Sequence, residues 1–384
     1  MNDGIRFETA AIHAGQDPEP ATGAAVVPLY QTSTYVQQRV AEHKGFEYSR
    51  TDNPTRRALE TCLAALEGAE SAVSFGSGMA AIATLALTLK SGDRVLIPDD
   101  VYGGTYRLFA KVLGDVGIDF ATVDMTDLQA VEAALATDTA LVLAETPTNP
   151  LLKILDLTSL AELSHAAGAL FAVDNTFATP FIQKPLDHGA DVCVYSATKY
   201  LGGHSDLVMG TLASNDPELT ERLRYLQNAV GAIPGPFDCW LLLRGLKTLA
   251  IRMRAHCAGA MQVAEWLARR DDVVTVHFPG LTSFAGHDIA TKQMAASGEP
   301  LYGGMVSFET DSAERALHIC ERTELFFLGE SLGGVESLIE HPGKMTHASL
   351  AGSGMEVPDT LVRLSVGIEH PDDLIKDLEQ AFSS

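Results

Sequence analysis

Residues 191–206, D-V-C-V-Y-S-A-T-K-Y-L-G-G-H-S-D, open on an apolar run and close on a lysine set among hydroxyls and glycines. The run 191–196 reads as a buried strand. Lys199 follows just past its carboxyl end, the edge at which open α/β sheets hold their ligands. Working outward, six more runs of this kind occur: 72–75 (A-V-S-F), 94–98 (R-V-L-I-P), 119–124 (D-F-A-T-V-D), 140–145 (A-L-V-L-A-E), 170–175 (L-F-A-V-D-N) and 208–213 (V-M-G-T-L-A). Helix-like segments lie between most of them, at 57–67, 79–89, 105–113, 128–136 and 159–167. Continuous apolar strands alternating with helices imply an α/β fold with a mostly parallel seven-stranded sheet, doubly wound.

The flanks read differently. Residues 1–55 carry Pro18, Pro20, Pro28 and Pro54 and little helical periodicity. They are expected to form an extended arm without a core of its own, docked on a neighbouring subunit. A ligand-binding domain is expected over 56–245 and a smaller C-terminal α/β domain over 246–384. Pro236 is expected to open one long helix running to about Arg270, with Gly245 and Gly259 as soft points. Strands follow at 273–278, 304–310 and 361–368. Pro371, with Asp372 and Asp373 behind it, opens a last helix that places Leu374, Leu378 and Phe382 on one face.

Composition narrows the function. The chain has 384 residues, 46% of them hydrophobic, enough for a large core and against disorder. Its formal net charge of −23 makes nucleic acid and anionic membranes poor partners. No apolar run approaches a membrane span, and no secretory signal is visible at M-N-D-G-I-R-F-E-T. Five scattered cysteines without a C-x-x-C pair read as reduced, packed thiols, and the expected location is the cytoplasm.

Three features converge near Lys199. Asp174 ends a strand 25 residues earlier, about one βαβ unit, so the two strand ends can be neighbours. S-F-G-S-G-M (74–79) turns from a strand into a helix, and Ser77, Gly78 and Met79 would offer N–H groups to a phosphate. Ser196 and Thr198 can complete that shell. A lysine nucleophile, a carboxylate one unit upstream and a phosphate cradle together point to pyridoxal phosphate. Lys199 would bond to its aldehyde, and Asp174 would keep its ring nitrogen protonated. Tyr102, in D-V-Y-G-G-T-Y-R (100–107), could stack on the ring or be a buried turn tyrosine, and spacing alone does not separate the two. No dinucleotide glycine fingerprint follows a strand, which disfavours a nicotinamide oxidoreductase.

These residues, with F-E-Y-S-R-T-D-N-P-T (46–55), S-G-M-A-A (77–81), E-T-P-T-N-P (145–150), V-D-N-T-F (173–177), E-S-L-G-G-V-E-S-L (330–338), M-T-H-A (345–348) and R-L-S-V-G-I-E (363–369), resemble the Cys/Met-metabolism branch of fold-type-I pyridoxal-phosphate enzymes. The resemblance runs from about Thr9 to the C-terminus. It implies the fold-type-I transferase fold and a homotetramer, a dimer of dimers with shared active sites. It makes Lys199 the cofactor-bonded lysine and proton shuttle, Asp174 the ring-nitrogen partner, and Tyr102 the stacking tyrosine and acid–base group. Gly78, Met79, Ser196 and Thr198 become phosphate ligands, and Asn149 lies near the ring hydroxyl. Tyr48 and Arg50 resemble a pair that reaches the phosphate of a neighbouring subunit. Arg363 resembles the clamp for a substrate α-carboxylate, with Ser331 beside it.

Glu47, Arg107 and Glu330 stand where this family faces the far end of its substrate. Charged groups there suit cystathionine, whose far end carries an ammonium and a carboxylate, and reject methionine. Gly103 and Gly104 stand where methionine γ-lyases usually carry a cysteine. The resemblance therefore implies γ-elimination on cystathionine to cysteine, 2-oxobutyrate and ammonia, the cystathionine γ-lyase reaction. The alternatives are cystathionine γ-synthase, methionine γ-lyase and a non-catalytic cofactor-binding protein. Glu47 and residues 227–240 look like γ-lyases, whereas 331–342 looks equally like γ-synthases.

Overall fold

The computed structural model describes residues 4–347 and 355–383. The first three residues of the arm, Ala348 of the M-T-H-A motif and Ser384 lie outside them. Seven strands form the large sheet: β1 (Ser71–Phe75), β2 (Arg94–Pro98), β3 (Asp119–Val123), β4 (Leu141–Glu145), β5 (Leu170–Asp174), β6 (Val192–Ser196) and β7 (Gly210–Ser214). Their order is β1-β7-β6-β5-β4-β2-β3, and only β7 runs antiparallel to its neighbours. Sheet residues such as Phe75, Ile97, Val142, Phe171 and Val194 are buried, each of the larger side chains worth about 1.5–3 kcal/mol of transfer free energy. Helices on both faces make that double-sided burial possible. The seven strands expected for this sheet are all present, with ends shifted by at most two residues.

Helix boundaries follow local chemistry. The first long helix, Pro54–Glu67, starts where the Asn53 side chain accepts the Thr55 N–H at 2.9 Å, with proline in its first turn. It ends at Gly68, whose φ of 82° is the left-handed stop. Asp127, Asp156 and Asp216 cap three later helices in the same manner.

Two expectations need correction. The arm is not wholly extended: Phe7–His13 is a helix whose Ala10 and Ala11 are buried in the core beside Leu59 and Cys62. Beyond it the arm lies on the surface, with Val36 and Val40 exposed by 92% and 97%. The long helix from Pro236 is also broken, into Pro236–Leu246 and Leu249–Leu267. The break comes where the first helix closes on the lysine loop; a Cβ on Gly245 would lie 2.4 Å from the Gly202 carbonyl oxygen. Arg252 of the second helix then donates to the Gly245 carbonyl at 2.9 Å and to the Tyr200 carbonyl at 2.7 Å, tying both helices to that loop.

The second sheet contains β8 (Val273–His277), β9 (Met305–Thr310), β10 (Phe327–Leu328), β11 (Leu338–Glu340) and β12 (Leu361–Ser365), in the order β10-β11-β12-β9-β8. β10 and β11, the two shortest, are additions to the sequence reading. The closing helix Pro371–Ser383 buries Leu374, Leu378 and Phe382 as expected. Among the described residues no helix is long and apolar enough to cross a membrane.

Candidate active site

The carboxyl edge of the parallel strands carries the polar groups. Glu145 ends β4, Asp174 ends β5 and Ser196 ends β6. Glu145 and Asp174 are partners in register, and Asp174 in turn pairs with Val194. A cavity of about 300 Å³ opens above this edge. Gly78, Met79, Tyr102, Asn149, Asp174, Ser196, Thr198, Lys199, Glu330, Ser331 and Arg363, all expected site residues, line it. Both sheets contribute, so the cavity sits between them.

Lys199 leaves β6 in a turn that is held on both sides. Thr198 Oγ1 accepts the Met209 N–H at 3.0 Å, and the Gly203 N–H reaches the Lys199 carbonyl at 2.8 Å. Lys199 Nζ donates to Ser331 Oγ at 2.7 Å. Burial, reinforced by the Arg363 charge, lowers this amine from 10.5 to about 8. A lysine tuned this way spends a useful fraction of its time as a free nucleophile or base near neutral pH.

Asp174 is half-buried at the cavity edge, with its Oδ1 accepting the Thr176 N–H at 3.0 Å. Among the described residues no lysine, arginine or histidine side chain forms an ion pair with it. Burial raises its carboxyl to about 6. Glu145 is pushed well above the usual carboxylate range, first by burial and then by Asp174. A half-buried acid without a cation, facing a cavity, is a receptor for a cationic group.

Arg363 lies on β12, 2% exposed. Its Nη1 donates to Asn149 Oδ1 at 2.8 Å and its Nη2 to the Ser331 carbonyl at 2.9 Å. Glu340, its register partner on β11, forms an ion pair with Nη1 at 3.0 Å. Tyr102 heads the helix Gly103–Leu108, and its N–H donates to Glu145 Oε2 at 3.1 Å.

Four expected residues are not brought to this cavity. Glu47 pairs with His43 on the surface, and Tyr48 is 44% exposed. Arg50 donates to the Asn228 carbonyl at 2.6 Å. Arg107 is exposed on the helix after Tyr102. Sequence reading placed Ser77 here but missed Glu145, Thr176 and Thr346 in the lining and Glu340 behind Arg363. Glu145 had a usable signal: it is the last residue of an apolar strand run, as Asp174 is.

The family model for Cys/Met metabolism PLP-dependent enzymes matches residues 8–383. The chain belongs to this family, and its cofactor is pyridoxal 5′-phosphate. It is 54% identical to a protein named cystathionine gamma-synthase from Mycobacterium tuberculosis over 97% of this chain and 96% of the relative. It is 49% identical to one named cystathionine beta-lyase from Coxiella burnetii, over 99% of both. A crystal structure of cystathionine gamma-lyase from Lactobacillus plantarum complexed with L-serine superposes with a TM-score of 0.94 at 43% identity, covering 99% of each chain.

The cavity fits the cofactor. Gly78 opens the helix Gly78–Ala86, whose first N–H groups have no partner within the helix. A Cβ on Gly78 would lie 2.9 Å from the Ser196 Cβ, so a side chain there would fill the space a phosphate needs. Asp174, without an ion-pair partner among the described residues, and the Lys199 amine, bonded to Ser331, lie in the same cavity and fit the cofactor's ring nitrogen and aldehyde.

Proposed function

We propose that this protein breaks the γ-carbon–sulfur bond of cystathionine with water, releasing cysteine, 2-oxobutyrate and ammonia. The observation that carries this reading is one cavity lined by Lys199, Arg363 and Glu330. It offers a base at the substrate's α-carbon, a cation for its α-carboxylate and an anion for an ammonium at its far end. A methyl thioether would leave Glu330 unpaired, which argues against methionine.

When bound, the cofactor supplies an electron sink that stabilises negative charge on the substrate's carbon skeleton. Asp174 holds the proton on its ring nitrogen. Gly78 and Met79 N–H groups and the Ser196 and Thr198 hydroxyls would hold its phosphate, and Asn149 would lie near its ring hydroxyl. Arg363 orients the α-carboxylate, with Ser331 beside it. Lys199 Nζ takes the α-proton and moves protons along the chain of the substrate. Tyr102 would stack on the ring, with its hydroxyl protonating the departing sulfur.

Tyr48 and Arg50 lie away from their own chain's cavity and serve a neighbour's phosphate. Glu47 and Arg107 belong to the far-end wall of an assembled site. In this reading the 1–55 arm reaches another subunit, 56–245 binds the cofactor, 246–384 closes over the substrate, and the protein works as a dimer of dimers.

A second reading, cystathionine γ-synthase, is favoured by the name of the 54% identical relative. It replaces the acyloxy group of an O-acylated homoserine by the thiolate of cysteine at the same carbon. One substrate panel separates them. The lyase reading expects 2-oxobutyrate from cystathionine, faster than cystathionine forms from O-acetylhomoserine and cysteine. The opposite ratio establishes the synthase. Pyruvate from cystathionine means cleavage at the β-carbon and overturns both.

A further inference from the structure

Arg363 is more heavily engaged than a free clamp would be. Its Nη1 lies between two acceptors, Asn149 Oδ1 at 2.8 Å and Glu340 Oε1 at 3.0 Å. Nη2 gives one hydrogen to the Ser331 carbonyl at 2.9 Å. Nε is buried and has no hydrogen-bond partner. The guanidinium thus keeps two donors in hand, Nε–H and the second hydrogen of Nη2. Those two nitrogens share one edge of the planar group, the edge that grips a carboxylate side-on through two parallel bonds.

Glu340 is what closes off the other nitrogen. Its side chain is 1% exposed and it is the register partner of Arg363 across the antiparallel β11–β12 pair. Thr346, which lines the cavity, donates at 2.7 Å to Glu340 Oε1, the same oxygen that pairs with Arg363. A buried acid with one oxygen committed in this manner and the other, Oε2, unpartnered is an expensive arrangement.

We propose that Glu340 is a positioning residue for the clamp: by occupying Nη1 it turns the Nε/Nη2 edge of Arg363 toward the substrate and fixes a side-on grip on the α-carboxylate. This rests on Arg363 holding that carboxylate, and the test separates the two claims. It deepens the reading above by giving the clamp a single orientation, hence a single placement of the α-carbon beside Lys199.

The test is calorimetric titration of the cofactor-loaded enzyme with L-norvaline and with n-butylamine, the same skeleton without the carboxylate. Glu340→Ala should weaken norvaline binding by roughly 30-fold or more, with butylamine within about threefold of wild type. Glu340→Gln keeps an oxygen for Nη1 and should retain norvaline binding within about threefold, a rescue that separates orientation from charge. It also keeps the test open should Glu340→Ala fail to fold. Unchanged norvaline affinity in Glu340→Ala, an equal loss for both ligands, or a Glu340→Gln variant as weak as the alanine one overturns the proposal. Arg363→Ala is the control arm. If it leaves norvaline binding unchanged, the clamp reading itself falls, and the role of Glu340 with it.

Discussion

Lys199 and Ser331 are joined by a 2.7 Å hydrogen bond from Nζ to Oγ, which links the carboxyl edge of the large sheet to the segment between β10 and β11. Ser331 adopts a φ of 97°, a region that side chains other than glycine rarely enter. Its carbonyl is held by Arg363 and its hydroxyl by Lys199, so the surroundings over-determine a strained backbone.

This strain gives a test by pairs. Ser331→Ala and Ser331→Gly both lose the hydroxyl and should lose turnover alike. In urea unfolding the glycine variant should be the more stable by about 1 kcal/mol, the reverse of the order at an ordinary position. An alanine variant at least as stable as the glycine one contradicts the strain.

The lowered amine of Lys199 sets a pH dependence. Covalent capture of the cofactor by cofactor-free protein requires the unprotonated amine. Its rate should rise with pH and level off above about 8. Stopped-flow absorbance checks this. A rise that continues to 10.5, the ordinary lysine value, would mean that burial and Arg363 do not act on this group.

Legibility in the sequence followed the length and purity of each signal. The strands of the large sheet are continuous apolar runs, and Asp174 and Lys199 stand at their ends, so the core of the site was readable. The antiparallel course of β7 was not, because a buried strand carries the same residues in either direction. Phe7–His13 is too short to show a period, and its burial depends on Leu59 and Cys62, far along the chain. The break after Leu246 comes from contact with the lysine loop, which local sequence does not encode. Glu340 falls in no element the sequence reading expected, and its role shows only once β11 is paired with β12. Tyr48 and Arg50 were read from the resemblance alone, and their own chain leaves them on its surface.

Behind the sheet, Glu67 is buried and accepts hydrogen bonds from Cys193 Sγ at 3.1 Å and from Tyr195 Oη. Burial raises its carboxyl from 4.5 to about 7. Between those values the folded chain holds a proton that the unfolded chain has released. Stability from this group therefore falls as pH rises through that window. Glu67→Gln removes the titration. The stability of wild type relative to Glu67→Gln should drop by about 3 kcal/mol across the window, read by urea unfolding at each end. A difference independent of pH contradicts the raised carboxyl.

Shared sites predict complementation. In the proposed shared-site assembly, Lys199→Ala would disable a chain's own cavity, and Arg50→Ala what that chain would lend to a neighbour. Each variant alone should be inactive. Refolded together from denaturant they should regain activity, because some cavities then receive Lys199 from one chain and Arg50 from another. A mixture as inactive as its components contradicts sharing.

The proposed function requires Lys199 to be the residue bonded to the cofactor, opposite Asp174. Borohydride reduction of the loaded enzyme, followed by proteolysis and mass spectrometry, locates that bond. The prediction is a phosphopyridoxyl group on the peptide containing Lys199, and its absence in Lys199→Ala. The same group on another lysine, or none on any peptide of the loaded wild-type enzyme, would contradict it.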